Sequence, residues 1–123
     1  MSDFRYYNIN PNMVEESDCV CRAISRALNL PYYVVENLLE LSAKHCGCDC
    51  ITLSCYRNLL EGIFELPVRF CEEGETVSDI ANAYPNNVVL IRIEGHLTCS
   101  IFASINDLWD CRDKQVTCYW IVS

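Results

Sequence analysis

A thiol becomes a strong nucleophile when folding sets it beside an imidazole, and this chain carries one cysteine and one histidine suited to that pairing. Cys19 stands where a helical periodicity begins: Cys19, Val20, Ala23, Ile24, Ala27 and Leu28 recur on one apolar face. Ser17 or Asp18 is placed to cap the first turn. The unpaired N–H groups and the dipole at a helix start favour an anion, which lowers a thiol's pKa. Cys21, two residues on, points to another side of the helix. His96, one of two histidines, follows Gly95 and opens the apolar run Leu97-Thr98-Cys99-Ser100-Ile101-Phe102. Imidazole can take the thiol proton near neutral pH and leave a thiolate–imidazolium pair. Each residue alone has a plainer explanation. A cysteine packs well as a small hydrophobe, and a histidine at a strand end is commonly structural. The combination singles them out.

A working imidazole needs a third group to orient it, and Asp110 and Asp107 are both within reach. A hairpin turning near Ala103-Ser104 carries the strand around Trp109-Asp110-Cys111 past His96. That crossing point favours Asp110, with Asp107 as the alternative nearer the turn. A one-residue shift in register would exchange the faces.

The elements that must position these residues follow from spacing and punctuation. Residues 1–17 are polar and read as an irregular segment, with Asn8-Ile9-Asn10-Pro11-Asn12 as loop. The first helix starts near Asp18 and ends at Asn29-Leu30-Pro31. A second runs from Pro31 or Tyr32 to about Lys44, with Val35, Leu38 and Leu39 on its apolar stripe and Gly47 beyond its end. A third spans Thr52 to Glu61 and is closed by Gly62. Leu66–Cys71 reads as an edge strand because of Pro67. Thr76-Val77-Ser78-Asp79 is a capping box with Asp for the usual Glu, opening a short helix up to Tyr84. Val88–Ile93, His96–Phe102, Ile105–Cys111 and Val116–Val122 are β-rich runs that suggest an antiparallel meander. Helices followed by strands predict an α+β fold, one domain over residues 1–123.

Composition narrows the function classes. Apolar residues make up 51% of the 123, enough for a buried core. The formal charge is −8, with nine scattered Lys and Arg, which argues against a nucleic-acid partner. No window is apolar enough for a membrane span and no secretory h-region opens the chain, so a cytoplasmic protein without a membrane partner is expected. In that compartment the ten cysteines are expected to be free thiols. The segment Lys44-His45-Cys46-Gly47-Cys48-Asp49-Cys50, with Cys55 after it, is the rival signal, since His and Cys at short spacing bind zinc. It lacks the Cys-x-x-Cys knuckle and a second ligand pair, so no metal and no cofactor are expected.

Four stretches follow one another along the chain: Asn8-Ile9-Asn10-Pro11, Asp18-Cys19-Val20-Cys21-Arg22-Ala23-Ile24, Gly95-His96-Leu97-Thr98 and Asp107-Leu108-Trp109-Asp110. The series resembles small papain-like cysteine-peptidase-fold proteins of bacteriophages and Gram-positive bacteria, over about residues 5 to 122. The Asp-Cys-x-x-Arg-Ala-Ile and Gly-His-Leu-Thr pieces are its specific parts. The resemblance implies a papain-like fold, Cys19 as nucleophile, His96 as base and an acid on the Trp-Asp strand. It also implies an amide side chain upstream of the nucleophile for the oxyanion. The usual Gln is absent, with Met13 and Val14 in that stretch. Asn10 or Asn8 is then the candidate, beside the backbone N–H of Cys19. The expected activity is a cysteine hydrolase of peptidase, isopeptidase or deamidase type acting on a peptide or protein. The alternative is a silent fold that serves a phage as a binding or inhibitor protein.

Overall fold

The structure is a computed structural model that describes residues 2–9, 18–49 and 52–123. Among these residues four helices accompany a six-stranded mixed sheet, an α+β arrangement. The strands are β1 (Asp3–Tyr6), β2 (Val68–Phe70), β3 (Val88–Ile93), β4 (His96–Ile101), β5 (Ser104–Asp107) and β6 (Val116–Ile121). The helices are α1 (Cys19–Leu28), α2 (Tyr32–Cys46), α3 (Leu53–Arg57) and α4 (Val77–Ala83). No helix of the described residues is long and apolar enough to cross a membrane.

Sheet order is β1-β5-β4-β3-β6-β2. Val89, Leu90 and Ile91 on central β3 are all fully buried, which requires cover on both faces. Alternation sorts them. Leu90 joins Leu97, Cys99, Cys118 and Trp120 under α1, α2 and α3, whereas Val89, Ile91 and Ile93 join Ile105, Val116 and Tyr119 against α4. Cys99 and Cys118 thus pack as small core side chains. The β3–β4 turn passes through Gly95 at φ 72°, and the β4–β5 turn holds Phe102 and Ala103 at φ 50° and 67°. Two successive left-handed residues are the backbone of a type I′ hairpin, which matches the strand twist.

Several helix ends follow the sequence signals. Asn29 takes the left-handed conformation after α1, with its N–H bonded to the Ser25 carbonyl. The Thr76–Asp79 capping box opens α4 with both reciprocal hydrogen bonds made. On α2, Val35 and Leu39 are buried, whereas Leu38 is only partly so.

Four expectations need correction. The segment 1–17 is not irregular throughout, because residues 3–6 pair parallel with β5. Its side chains are mostly exposed, so the ladder holds the strand and no apolar alternation announces it. The last four strands are not a simple meander, because β6 lies beside β3 and not beside β5. The strand expected over Ile105–Cys111 stops at Asp107. The third helix does not end at Gly62: beyond Arg57 it widens into a π-helical turn, Asn58–Ile63, which runs through that glycine.

Candidate active site

Cys19 is the first residue of α1, so its backbone N–H has no acceptor within the helix. The flanking residues fix this helix start. Asp18 is the N-cap by position but makes no side-chain cap. Its carboxylate instead pairs with Arg22 one turn on and accepts from the Tyr32 hydroxyl at 2.7 Å. The Asp and Arg that flank Cys19 in sequence are therefore a buried ion pair tying α1 to the start of α2.

His96 reaches the site from the first position of β4, opposite Ile93. Its Nε2 lies 2.6 Å from Asp107 Oδ2, and the two side chains are only 10% and 4% exposed. With Nε2 taken, Nδ1 is the ring nitrogen left for the thiol; Cys19 and His96 line one cleft, and the imidazole acts on the thiol's pKa through hydrogen bonding and charge. The Trp109 ring packs against the imidazole at a tilt of 45°, centroids 5.0 Å apart. Asp107 is itself held firmly: Leu108 N–H donates to Oδ1 at 2.7 Å and the buried Cys111 thiol approaches Oδ2 at 3.8 Å.

The acid beside His96 is thus Asp107. Asp110, favoured by the crossing-point argument, is an exposed residue in a 2.7 Å ion pair with Arg112. Side-chain parity explains the difference. The β4–β5 register pairs Cys99 with Asn106, and continuing it sets Thr98 opposite Asp107 and His96 opposite Trp109. Residues 96 and 98 share a face with 107 and 109, so Asp107 is the diagonal neighbour of His96. Asp110 has the opposite parity and lies beyond the strand.

The electrostatics separate Cys19 from other cysteines. Burial pushes Cys21 up to about 11, Cys99 to about 12, and raises Cys71 and Cys118 as well. Burial would also raise Cys19. The hydrogen bond from His96, the backbone N–H of Leu97 and the charge of His96 outweigh it, and the thiol falls below its ordinary range. His96 moves the other way. Burial opposes its cation, but hydrogen bonds to Asp107, Cys111 and Cys19 together with the Asp107 charge raise it to about 11. Both shifts favour the thiolate–imidazolium form.

Asn10 lies outside the described residues. The segment before it is brought to the site by β1, whose pairing continues as Tyr7 N–H to the Asp107 carbonyl at 2.9 Å. Tyr7 stacks under the Arg26 guanidinium at 4.2 Å, and Tyr7 and Ile9 line a small gap with Cys19. Asn8 sits between them on this segment. The sequence reading named Asn8 but gave no strand to place it.

His96, Asp107 and Cys111 each bring a ligand atom within 4.8 Å of the others. The 2.6 Å between Nε2 and Oδ2 is a hydrogen bond, which a cation would have to displace. Among the described residues of the cysteine-rich segment, the candidate zinc ligands Cys46, Cys48 and Cys55 are otherwise engaged. Cys46 and Cys48 are joined as a disulfide across Gly47, contrary to the free thiols expected. Cys55 is buried with its thiol directed at the Leu39 carbonyl, and Cys50 lies outside the described residues.

Removal of the Asp107 charge has two opposing effects on Cys19. It takes away a small direct repulsion of the thiolate, and it takes away the main hydrogen bond sustaining the imidazolium. The second is larger, so Asp107→Asn is expected to slow Cys19 alkylation at pH 6.5 by about three- to fivefold, through a smaller thiolate fraction. Asp110→Asn should stay within about twofold of the parent, as its partner is Arg112 on the surface. Iodoacetamide rates with peptide mapping decide; the reverse ranking would return the orienting role to Asp110.

Comparison with known proteins leaves the site to be judged on this geometry: no family model, no curated protein and no solved structure matches the chain.

Proposed function

We propose that the chain is a papain-like cysteine hydrolase that cleaves an amide or isopeptide bond of a peptide or protein. The observation that carries this is the linked series Cys19–His96–Asp107, in which the thiol is lowered, the imidazole raised and the carboxylate fixed. The resemblance of the Asp-Cys-x-x-Arg-Ala-Ile and Gly-His-Leu-Thr pieces to papain-like proteins supports the same reading.

In the reaction the Cys19 thiolate attacks the carbonyl carbon, and the developing oxyanion is met by the Cys19 N–H at the helix start. Collapse of the tetrahedral intermediate breaks the C–N bond while His96 gives its proton to the leaving amine. His96, now neutral, takes a proton from water as the hydroxide equivalent attacks the thioester, and Cys19 leaves as the thiolate. Asp107 keeps the ring oriented and its cation stable.

The test is acyl-enzyme trapping. The protein is mixed with peptide, isopeptide and primary-amide panels, quenched in acid, and examined by intact mass. A covalent acyl adduct on Cys19, absent from Cys19→Ala and accompanied by amine release, is the expected result. Failure of all three panels to give Cys19-dependent adduct or release would overturn the hydrolase reading.

A further inference from the structure

Two clefts flank His96, and the one that also contains Cys19 is chemically distinctive. It encloses about 320 Å³, with Val20, Leu53 and Tyr56 on its walls and Arg92 alongside. The chain as a whole carries seventeen acidic and nine basic residues, yet among the described residues no carboxylate lines this cleft. Glu94, two residues before His96, lines the other cleft with Lys114 and Trp109.

Arg92 is half-buried on β3, one residue before Ile93, the partner of His96. Its guanidinium is held rather than loose. Nε donates to the Tyr56 hydroxyl at 3.0 Å and Nη1 to Thr117 Oγ1 at 2.8 Å. Both partners are neutral, and no ion pair forms between Arg92 and a carboxylate among the described residues. A guanidinium has five N–H donors, and the pair on Nη2 makes no hydrogen bond among the described residues. A fixed guanidinium with free donors, in a partly apolar cleft, matches a carboxylate in charge and in fork geometry.

We infer that Arg92 binds a carboxylate of the substrate close to the bond that Cys19 attacks, making the preferred substrate an acidic peptide. This rests on Cys19 being the nucleophile. The carboxylate could belong to an Asp or Glu side chain or to a free carboxy terminus, and the apolar walls would pack against the stem that carries it.

Three N-iodoacetyl reagents of nearly equal shape separate the cases. Iodoacetyl-aspartic acid α-amide carries a side-chain carboxylate, iodoacetyl-asparagine a terminal one, and iodoacetyl-asparagine amide is neutral. Alkylation of Cys19 is followed at pH 7 in low salt, and the readout is the rate of each acid divided by that of the neutral reagent. At least one ratio should be about ten and saturable, and should fall toward about two in Arg92→Gln, where only the His96 cation remains to attract an anion. Which acid gives the high ratio identifies the source of the carboxylate. Ratios near one in the parent protein would overturn the inference with Cys19 still reactive, as would a high ratio unchanged in Arg92→Gln. If the neutral reagent leaves Cys19 unmodified, the nucleophile assignment itself falls and the inference falls with it.

Discussion

Replacement of His96 by alanine is expected to slow alkylation of Cys19 about tenfold at pH 6.5. The size follows from two opposing factors. An ordinary thiol, with a pKa of about 8.5, is about 1% ionised at that pH, whereas a thiol paired with an imidazolium is mostly thiolate, so ionisation alone gives nearly a hundredfold. A thiolate of lower pKa is intrinsically less nucleophilic, and a Brønsted coefficient of about 0.4–0.5 takes back roughly one power of ten. The pH profile carries more information than the single rate. With His96 in place the pKa of Cys19 is lowered, so alkylation should rise and flatten at lower pH than in His96→Ala. Without His96, burial raises the thiol against the Leu97 N–H only, and the rate should climb tenfold per pH unit through neutrality. An unchanged profile in His96→Ala would show that the helix start and the Leu97 N–H lower Cys19 without the histidine.

Leu39→Asp should cost at least about 4 kcal/mol of stability, while Cys19→Ala should stay within about 1 kcal/mol. Leu39 is 3% exposed in the cluster that joins α2 to α1 and α3. The substitution loses the transfer energy of an isobutyl group and leaves a carboxylate in apolar surroundings, against a total stability of about 5–15 kcal/mol for a domain this size. Cys19 is only partly buried at the edge of the same cluster, and its loss leaves Arg22–Asp18 and His96–Asp107 in place. Urea melts of both variants measure the contrast. If Cys19→Ala melts with Leu39→Asp, the thiol is a packing residue and its role as nucleophile fails. Leu39 is the better probe than Leu38, which the periodicity ranks alongside it but which is only partly buried.

How legible the site was depends on which residues are asked about. Helix α1 starts at Cys19 and β4 at His96, both where apolar periodicity changes, because burial of one face sets both boundaries. The Thr76–Asp79 box was readable because a cap is a local hydrogen-bond pattern. Asp107 was nameable only as an alternative. Counting residues to the crossing point ignored that side chains two apart, and not one apart, share a face. β1 left no signal, since its exposed side chains carry no alternation and its partner is remote in sequence. Val88–Ile93 was recognised as a strand, but its near-continuous burial meant cover on both faces, which assigned α4 to the side opposite the other helices.

The parallel pairing of β1 with β5 has a consequence for the order in which the site comes together. Asp3 and Ser104 are roughly a hundred residues apart along the chain, so this ladder closes a very long loop and gains nothing until that loop is shut. During synthesis β1 and Cys19 emerge before β5, the strand that β1 must pair with and that ends at the acid behind His96. The pairing that lowers the Cys19 thiol is therefore expected to form only after β5 is made, with the closing of the sheet edge.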